Sequence, residues 1–148
     1  MSDTGFYWAK SNTCNASVPF TAVQGGTDSD GSPIYVGRAF ISGDWCPAKV
    51  VPSRKQAYVA HGSREHCVRN YEVLCERRFQ WVSTSGGNIP HNAVCGGQTS
   101  SGEKLYIGRA YHNSSNTVGK VHPSHKCLYI PYGGQEVKYV KYEILVRS

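Results

Sequence analysis

The residues best suited to chemistry sit in two places in the first half of the chain. Asp28 and Asp30 lie in the polar loop Gly25-Gly-Thr-Asp-Ser-Asp-Gly31, and Lys49 lies in Lys-Val-Val-Pro-Ser53. A carboxylate that accepts and an ammonium that donates are what a sugar diol needs, because each hydroxyl does both. Charge-assisted hydrogen bonds of this kind are stronger than neutral ones. The opposing reading is that Asp in a glycine-rich loop merely shapes a turn. A glycosidase would also need two carboxylates, set on either side of a bond. Asp28 and Asp30 share one short loop and do not readily take up that arrangement.

Two further clusters invite a chemical reading. His122-x-x-His125-x-Cys127 could be drawn as a zinc site, but the corresponding residues in the first half are Val51, Arg54 and Gln56. Nothing that the two halves share demands a metal, so none is expected, and no cofactor is. Arg38 and Arg109 each sit in Tyr-Val/Ile-Gly-Arg-Ala. Inside a strand, an arginine of this kind more often pairs with a carboxylate than with ligand, and Glu72 and Glu143 are available. Patterns of the GxSxG, HExxH, Walker or cysteine-protease type are missing.

The elements that must position these groups come in duplicate. Val18–Phe40 lies over Ile89–Tyr111 with a constant offset: Gly25 to Gly96 and Arg38 to Arg109 are both 71 residues apart. The match runs on without a gap through Lys49 over Lys120, Pro52-Ser53 over Pro123-Ser124, Tyr58 over Tyr129 and Glu65 over Glu136. It ends with Tyr71-Glu-Val-Leu74 over Tyr142-Glu-Ile-Leu145. At the front Trp8 matches Trp81 at 73 residues, two more than elsewhere. Self-similarity of this length makes each copy one structural unit, here residues 1–77 and 78–148. Cys75–Arg78 offers no Pro or Gly linker, so the copies are expected to be fused side by side.

β-rich runs between Gly, Asn and Pro place strands near 6–9, 20–24, 34–41, 48–51, 56–60 and 67–76, and again in the second copy. The final run, 137–146, is expected to be one strand with Val140, Tyr142, Ile144 and Val146 facing the core. The double glycines read as hairpin turns. The expected architecture is all-β: two tandem pseudo-symmetric repeats packed into one compact unit.

Composition agrees. Of 148 residues, 39% are hydrophobic and 18% charged, with 16 Gly, 10 Tyr and one Met, a profile that favours strands over helices. The net charge of +6 is scattered and forms no stripe, which argues against nucleic acid. No apolar run suits membrane insertion, and the start lacks a leader pattern, so a cytoplasmic location is expected. The six cysteines lack CxxC spacing and read as reduced, mostly buried thiols, with three disulfides the alternative. The sequons at Asn15 and Asn113 read as surface loops.

Ala-Val-x-Gly-Gly-x-Asp-x-x-Gly, Tyr-Val/Ile-Gly-Arg-Ala, Lys-Val-x-Pro-Ser, Gly-x-x-Glu and Tyr-Glu-Val/Ile-Leu, in that order and in both copies save for Thr99 at the Asp position, resemble the DM-nine repeat family. The resemblance implies a mannose-binding lectin of the two-repeat bivalve type, a homodimer acting on mannose-containing glycans in innate immunity. It implies no enzyme activity. It also implies that mannose is held by Asp28 and Lys49, with Lys120 as a secondary contact because Thr99 stands where the aspartate would be. Related members include intracellular response proteins, so an interaction module without sugar binding is the alternative.

Overall fold

In the computed structural model, residues 6–12, 18–76 and 78–148 are described. Cys14 and the first sequon lie outside them. The first copy forms β1 (Phe6–Asn12), β2 (Gln24–Thr27), β3 (Pro33–Ile41), β4 (Asp44–Val51), β5 (Gln56–His61), β6 (Arg64–Val68) and β7 (Asn70–Glu76). The second forms β8 (Phe79–Ser85), β9 (Cys95–Gln98), β10 (Lys104–His112), β11 (Ser115–His122), β12 (Cys127–Tyr132), β13 (Gln135–Tyr139) and β14 (Lys141–Arg147). One 3₁₀ turn per copy, Pro52–Arg54 and Pro123–His125, is the only helical structure among the described residues.

All strands belong to one sheet, ordered β1-β7-β3-β4-β5-β6-β13-β12-β11-β10-β14-β8, with β2 on β3 and β9 on both β10 and β4. The order reads as a palindrome about the β6/β13 seam. There Gln135 pairs with Arg64, Glu65 N–H donates to Gly134 O (3.1 Å), and Glu136 N–H donates to Ser63 O (3.2 Å). Those last two bonds exchange under the 71-residue offset, so a pseudo-two-fold axis passes through the seam. β3 and β10 share one burial pattern, because Ile34/Leu105, Val36/Ile107 and Ala39/Ala110 turn the same β-favouring side chains inward. Two-residue hairpins close β3 to β4 and β10 to β11. Ser42-Gly43 and Asn113-Ser114 have positive φ throughout, the geometry that suits the right-handed twist of the flanking strands.

The core has three parts. Val50, Val59, Val73 and their neighbours fill the first copy, and Leu128, Ile130, Ile144 and Val146 fill the second. Between them lies a cluster drawn from both: Ile34, Val36, Val51 and Leu74 with Val94, Ile107, Val118 and Leu145. Leu105 crosses from the second copy into the cluster of the first. Each repeat completes its partner's interior.

Four expectations are corrected. The strand placed at 20–24 reduces to a single bridge from Ala22 to Cys75, because Pro19 O and Ala22 N–H close a turn (2.9 Å), and the ladder begins at Gln24. The runs 67–76 and 137–146 each break, at Arg69 and Val140. Val140 is consequently exposed while Leu145 is fully buried, since this strand has core on both faces and alternation no longer distinguishes in from out. The double glycines are not turns. A Cβ on Gly26 would stand 2.0 Å from Asn116 O, and one on Gly97 would stand 2.1 Å from Trp45 O. The glycines let a strand of one repeat pass against the backbone of the other. The positive-φ turn belongs to Gly31 and Gly102, at 88° and 94°.

Candidate functional site

Asp28 follows β2 at the mouth of a tight turn. Its N–H donates to Ser32 O (2.8 Å) and its carbonyl accepts from Gly31 N–H (2.9 Å). This turns the side chain inward, where it is 5% exposed. Oδ1 accepts from Ser29 N–H (2.9 Å), and Oδ2 is 2.6 Å from an Arg54 guanidinium nitrogen. Arg54 ends the 3₁₀ turn after β4, and Lys55 in the left-handed region (φ 54°) then swings the chain into β5.

Lys49 projects from β4 and is 2% exposed. Its Nζ donates to Pro131 O of the second repeat (2.7 Å) and lies 3.8 Å from Glu65 Oε2. It also faces two rings, with Tyr58 and Tyr132 centroids at 5.3 and 5.1 Å. Burial holds the ammonium below the ordinary lysine range, and Glu65 and Asp28 counter that shift. Glu65 is fixed in turn by Gly134 N–H, which donates to Oε1 (2.8 Å).

Asp28, Lys49, Arg54, Tyr58, Glu65 and Tyr132 thus surround one cavity of about 230 Å³. Two carboxylates and two cations alternate around it, with aromatic surface beside them. The arrangement can exchange hydrogen bonds with paired hydroxyls and cover an apolar ring face. Asp30 stays outside: 54% exposed, it reaches the same Arg54 at 3.4 Å and accepts from Ser32 N–H (2.9 Å). Because Asp28 and Asp30 engage one guanidinium, they do not flank a common substrate bond.

The structure therefore brings Asp28 and Lys49 together, as expected, but through intermediaries. Sequence reasoning missed Arg54, Glu65, Tyr58 and Tyr132 as members of the site. Tyr58 and Glu65 carried a signal, since both recur as Tyr129 and Glu136. Arg54 and Tyr132 carried none, because the second copy has His125 in place of Arg54 and the first copy has His61 in place of Tyr132.

At the equivalent place in the second repeat, Lys120 is 5% exposed, with Glu136 Oε2 at 3.4 Å and the Tyr129 ring at 5.7 Å. Thr99 Oγ1 is spent on its own turn, accepting from Glu103 N–H (3.1 Å). Thr99 brings no carboxylate of its own, but Asp44 of the first repeat supplies one: its Oδ1 accepts from Ser100 N–H (2.7 Å), as Asp28 Oδ1 does from Ser29 N–H, and its charge is felt by Lys120.

His122 and His125 stack face to face, centroids 3.7 Å apart and planes 9° from parallel. Ring nitrogens lie in their ring planes, so these two do not converge on one ion. His122 Nε2 meets Glu103 Oε1 (3.0 Å), and His125 Nδ1 meets the Tyr129 hydroxyl (2.9 Å). Among the described residues no group of three potential ligands is poised for a metal. Arg38 and Arg109 donate to Glu72 and Glu143 at 2.7 and 2.8 Å, as the sequence suggested. Cys46, Cys75 and Cys127 are buried thiols, whereas Cys67 and Cys95 are exposed.

The family model for the DM9 repeat matches residues 28–139, which span both copies and every member of the cavity. The chain belongs to the DM9 repeat family. Among its relatives are two natterins of Thalassophryne nattereri. Natterin-3 is 32% identical over 94 residues, covering 60% of this chain and 23% of the natterin. Natterin-4 is 27% identical over 135 residues, covering 88% and 32%. This DM9 chain thus spans about a third or less of those relatives' length. Among solved structures, the nematode sperm cell motility protein MFP2B superposes with a TM-score of 0.59 at 13% identity, over 97% of this chain and 45% of its own. That likeness concerns the fold.

Proposed function

We propose that this DM9 chain is a carbohydrate-binding module whose principal site is the Asp28/Lys49 cavity, and that its ligand is mannose or a mannose-containing glycan. The observation that carries the reading is the pairing of buried Asp28 and Lys49 with Arg54 and Glu65, beside Tyr58 and Tyr132. Its donors and acceptors are held by the fold before any ligand arrives, so little side-chain freedom is lost on binding. Recognition proceeds through hydrogen bonds and ring contact, without metal and without turnover.

A cavity this small takes about one sugar ring, so affinity per site is weak and useful avidity comes from pairing chains in a homodimer. Display of mannose-binding sites in pairs suits recognition of microbial surfaces in innate immunity. The test is binding to a glycan array and to mannan by calorimetry, with and without EDTA. Mannose-selective binding that survives EDTA is the expected result. Silence across the array would instead favour an interaction module that recognises protein.

A further inference from the structure

Two grooves larger than the Asp28 cavity lie away from it, one in each repeat, on related surfaces. In the second repeat β8, β10, β11 and β14 enclose about 700 Å³ between Tyr111, Asn116, Lys141 and Glu143. In the first, the corresponding Phe40, Trp45, Asn70 and Glu72 enclose about 550 Å³. Both volumes fall in the range of small-ligand sites.

In both grooves the carboxylate is fixed by a guanidinium lying on an indole. Arg109 sits 4.3 Å from the Trp81 ring centroid, donates through Nε to Glu143 Oε1 (2.8 Å), and donates through its terminal nitrogen to Gly25 O of the first repeat (2.8 Å). Arg38 holds Glu72 in the same way, 4.2 Å from Trp8. The grooves differ in what is exposed. Glu143 is 41% exposed and Glu72 is 18%. A carboxylate that is both pinned and open to solvent is a preorganised acceptor.

Two replacements add hydrogen-bonding groups to the second groove: Phe40 becomes Tyr111, which is 71% exposed, and Trp45 becomes Asn116. The ammonium changes place, Lys10 giving way to Ser83 and Asn70 to Lys141, so each groove keeps one, and Tyr111 keeps an aromatic face. In the first groove Trp45 instead packs edge-on to Phe40 (5.6 Å).

We infer that the groove of the second repeat is a separate saccharide site, in which a pyranose packs on Tyr111 and its hydroxyls reach Glu143, Asn116 and Lys141. The chemistry is that of a sugar: an exposed ring for the C–H face, with an acceptor, an amide and an ammonium around it. The inference rests on the carbohydrate reading of the chain but shares no residue with the Asp28 cavity. The first repeat then carries the Asp28/Lys49 site and the second the open aromatic one.

The test is a ¹H–¹⁵N chemical-shift titration with methyl α-D-mannopyranoside and methyl β-D-glucopyranoside. It uses the wild-type chain, Asp28→Ala, and Asp28→Ala combined with Tyr111→Ala or Lys141→Ala. In Asp28→Ala, shifts at Thr84, Tyr111, Asn116 and Glu143 should persist with at least one sugar. Removing the exposed ring should weaken that binding about tenfold, with melts unchanged. If wild-type responds around Lys49 and Asp28→Ala is silent, the second site is overturned and the principal one stands. If no sugar shifts any residue of the wild-type chain, both readings fall.

Discussion

Lys49 Nζ donates to the carbonyl of Pro131 at 2.7 Å, across 82 residues of sequence. The lysine of the first repeat is therefore aimed by the backbone of the second. Tyr132, the next residue, supplies one of the two rings that Nζ faces. The site is built at the seam, and its integrity depends on the same contacts that join the repeats.

Asp28→Ala removes the carboxylate that holds Arg54 and presents an acceptor to the cavity. Loss of a charged hydrogen bond costs roughly 1.5–3 kcal/mol, enough to take a weak mannose site below detection by calorimetry. Thr99→Ala, whose hydroxyl serves its own turn, should change mannose affinity little. Asp28→Asn controls for shape; normal mannan binding by Asp28→Ala in a folded chain would move the site elsewhere.

Gly26→Ala and Gly97→Ala test the close approach of β2 to β11 and of β9 to β4. Each added methyl meets a backbone carbonyl of the other repeat near 2 Å, which no rotamer relieves. Overpacking of this kind costs about 1–3 kcal/mol or more, so both variants should show a lowered urea midpoint. Gly62→Ala, with nothing within 4 Å but φ at 58°, should lose only the left-handed penalty of about 1 kcal/mol.

Either repeat expressed alone, as residues 1–77 or 78–148, should fail to fold. Leu74, Val36 and Ile34 pack against Val118, Ile107 and Leu145 of the other copy, and a lone repeat would leave that surface in water. Circular dichroism and amide-proton dispersion should report an unfolded or aggregating half. Mixing the halves should restore structure.

His122 gives a pH dependence with a definite sign. Burial, together with the facing His125, holds its folded pKa below the ordinary 6.5, against the pull of Glu103. The folded state then binds fewer protons than the unfolded one below about pH 6.5. Its contribution to stability is complete above that pH and is lost as pH falls toward the folded value. His122→Val copies Val51, the fully buried residue at the same place in the first repeat. The variant should lose part of the decline in melting temperature between neutral and mildly acidic pH, and an unchanged slope would contradict the assignment.

By itself the sequence determined the repeat, its 71-residue register, the all-β class, the Arg–Glu pairs and the candidacy of Asp28 and Lys49. Each of these is a local pattern copied twice, and duplication marks a residue type as required without any knowledge of its neighbours. What the tertiary structure decided was the meaning of the double glycines, the breaks at Arg69 and Val140, and the membership of Arg54, Glu65, Tyr58 and Tyr132 in the site. The glycines answer to a backbone from the other copy. Leu145 is buried because its strand is covered on both faces, which alternation cannot encode. Arg54 and Tyr132 occupy the cavity in one copy only, so the repeat concealed them. They meet because the sheet folds Pro131 onto Lys49, a long-range contact that follows from packing two curved halves around one core.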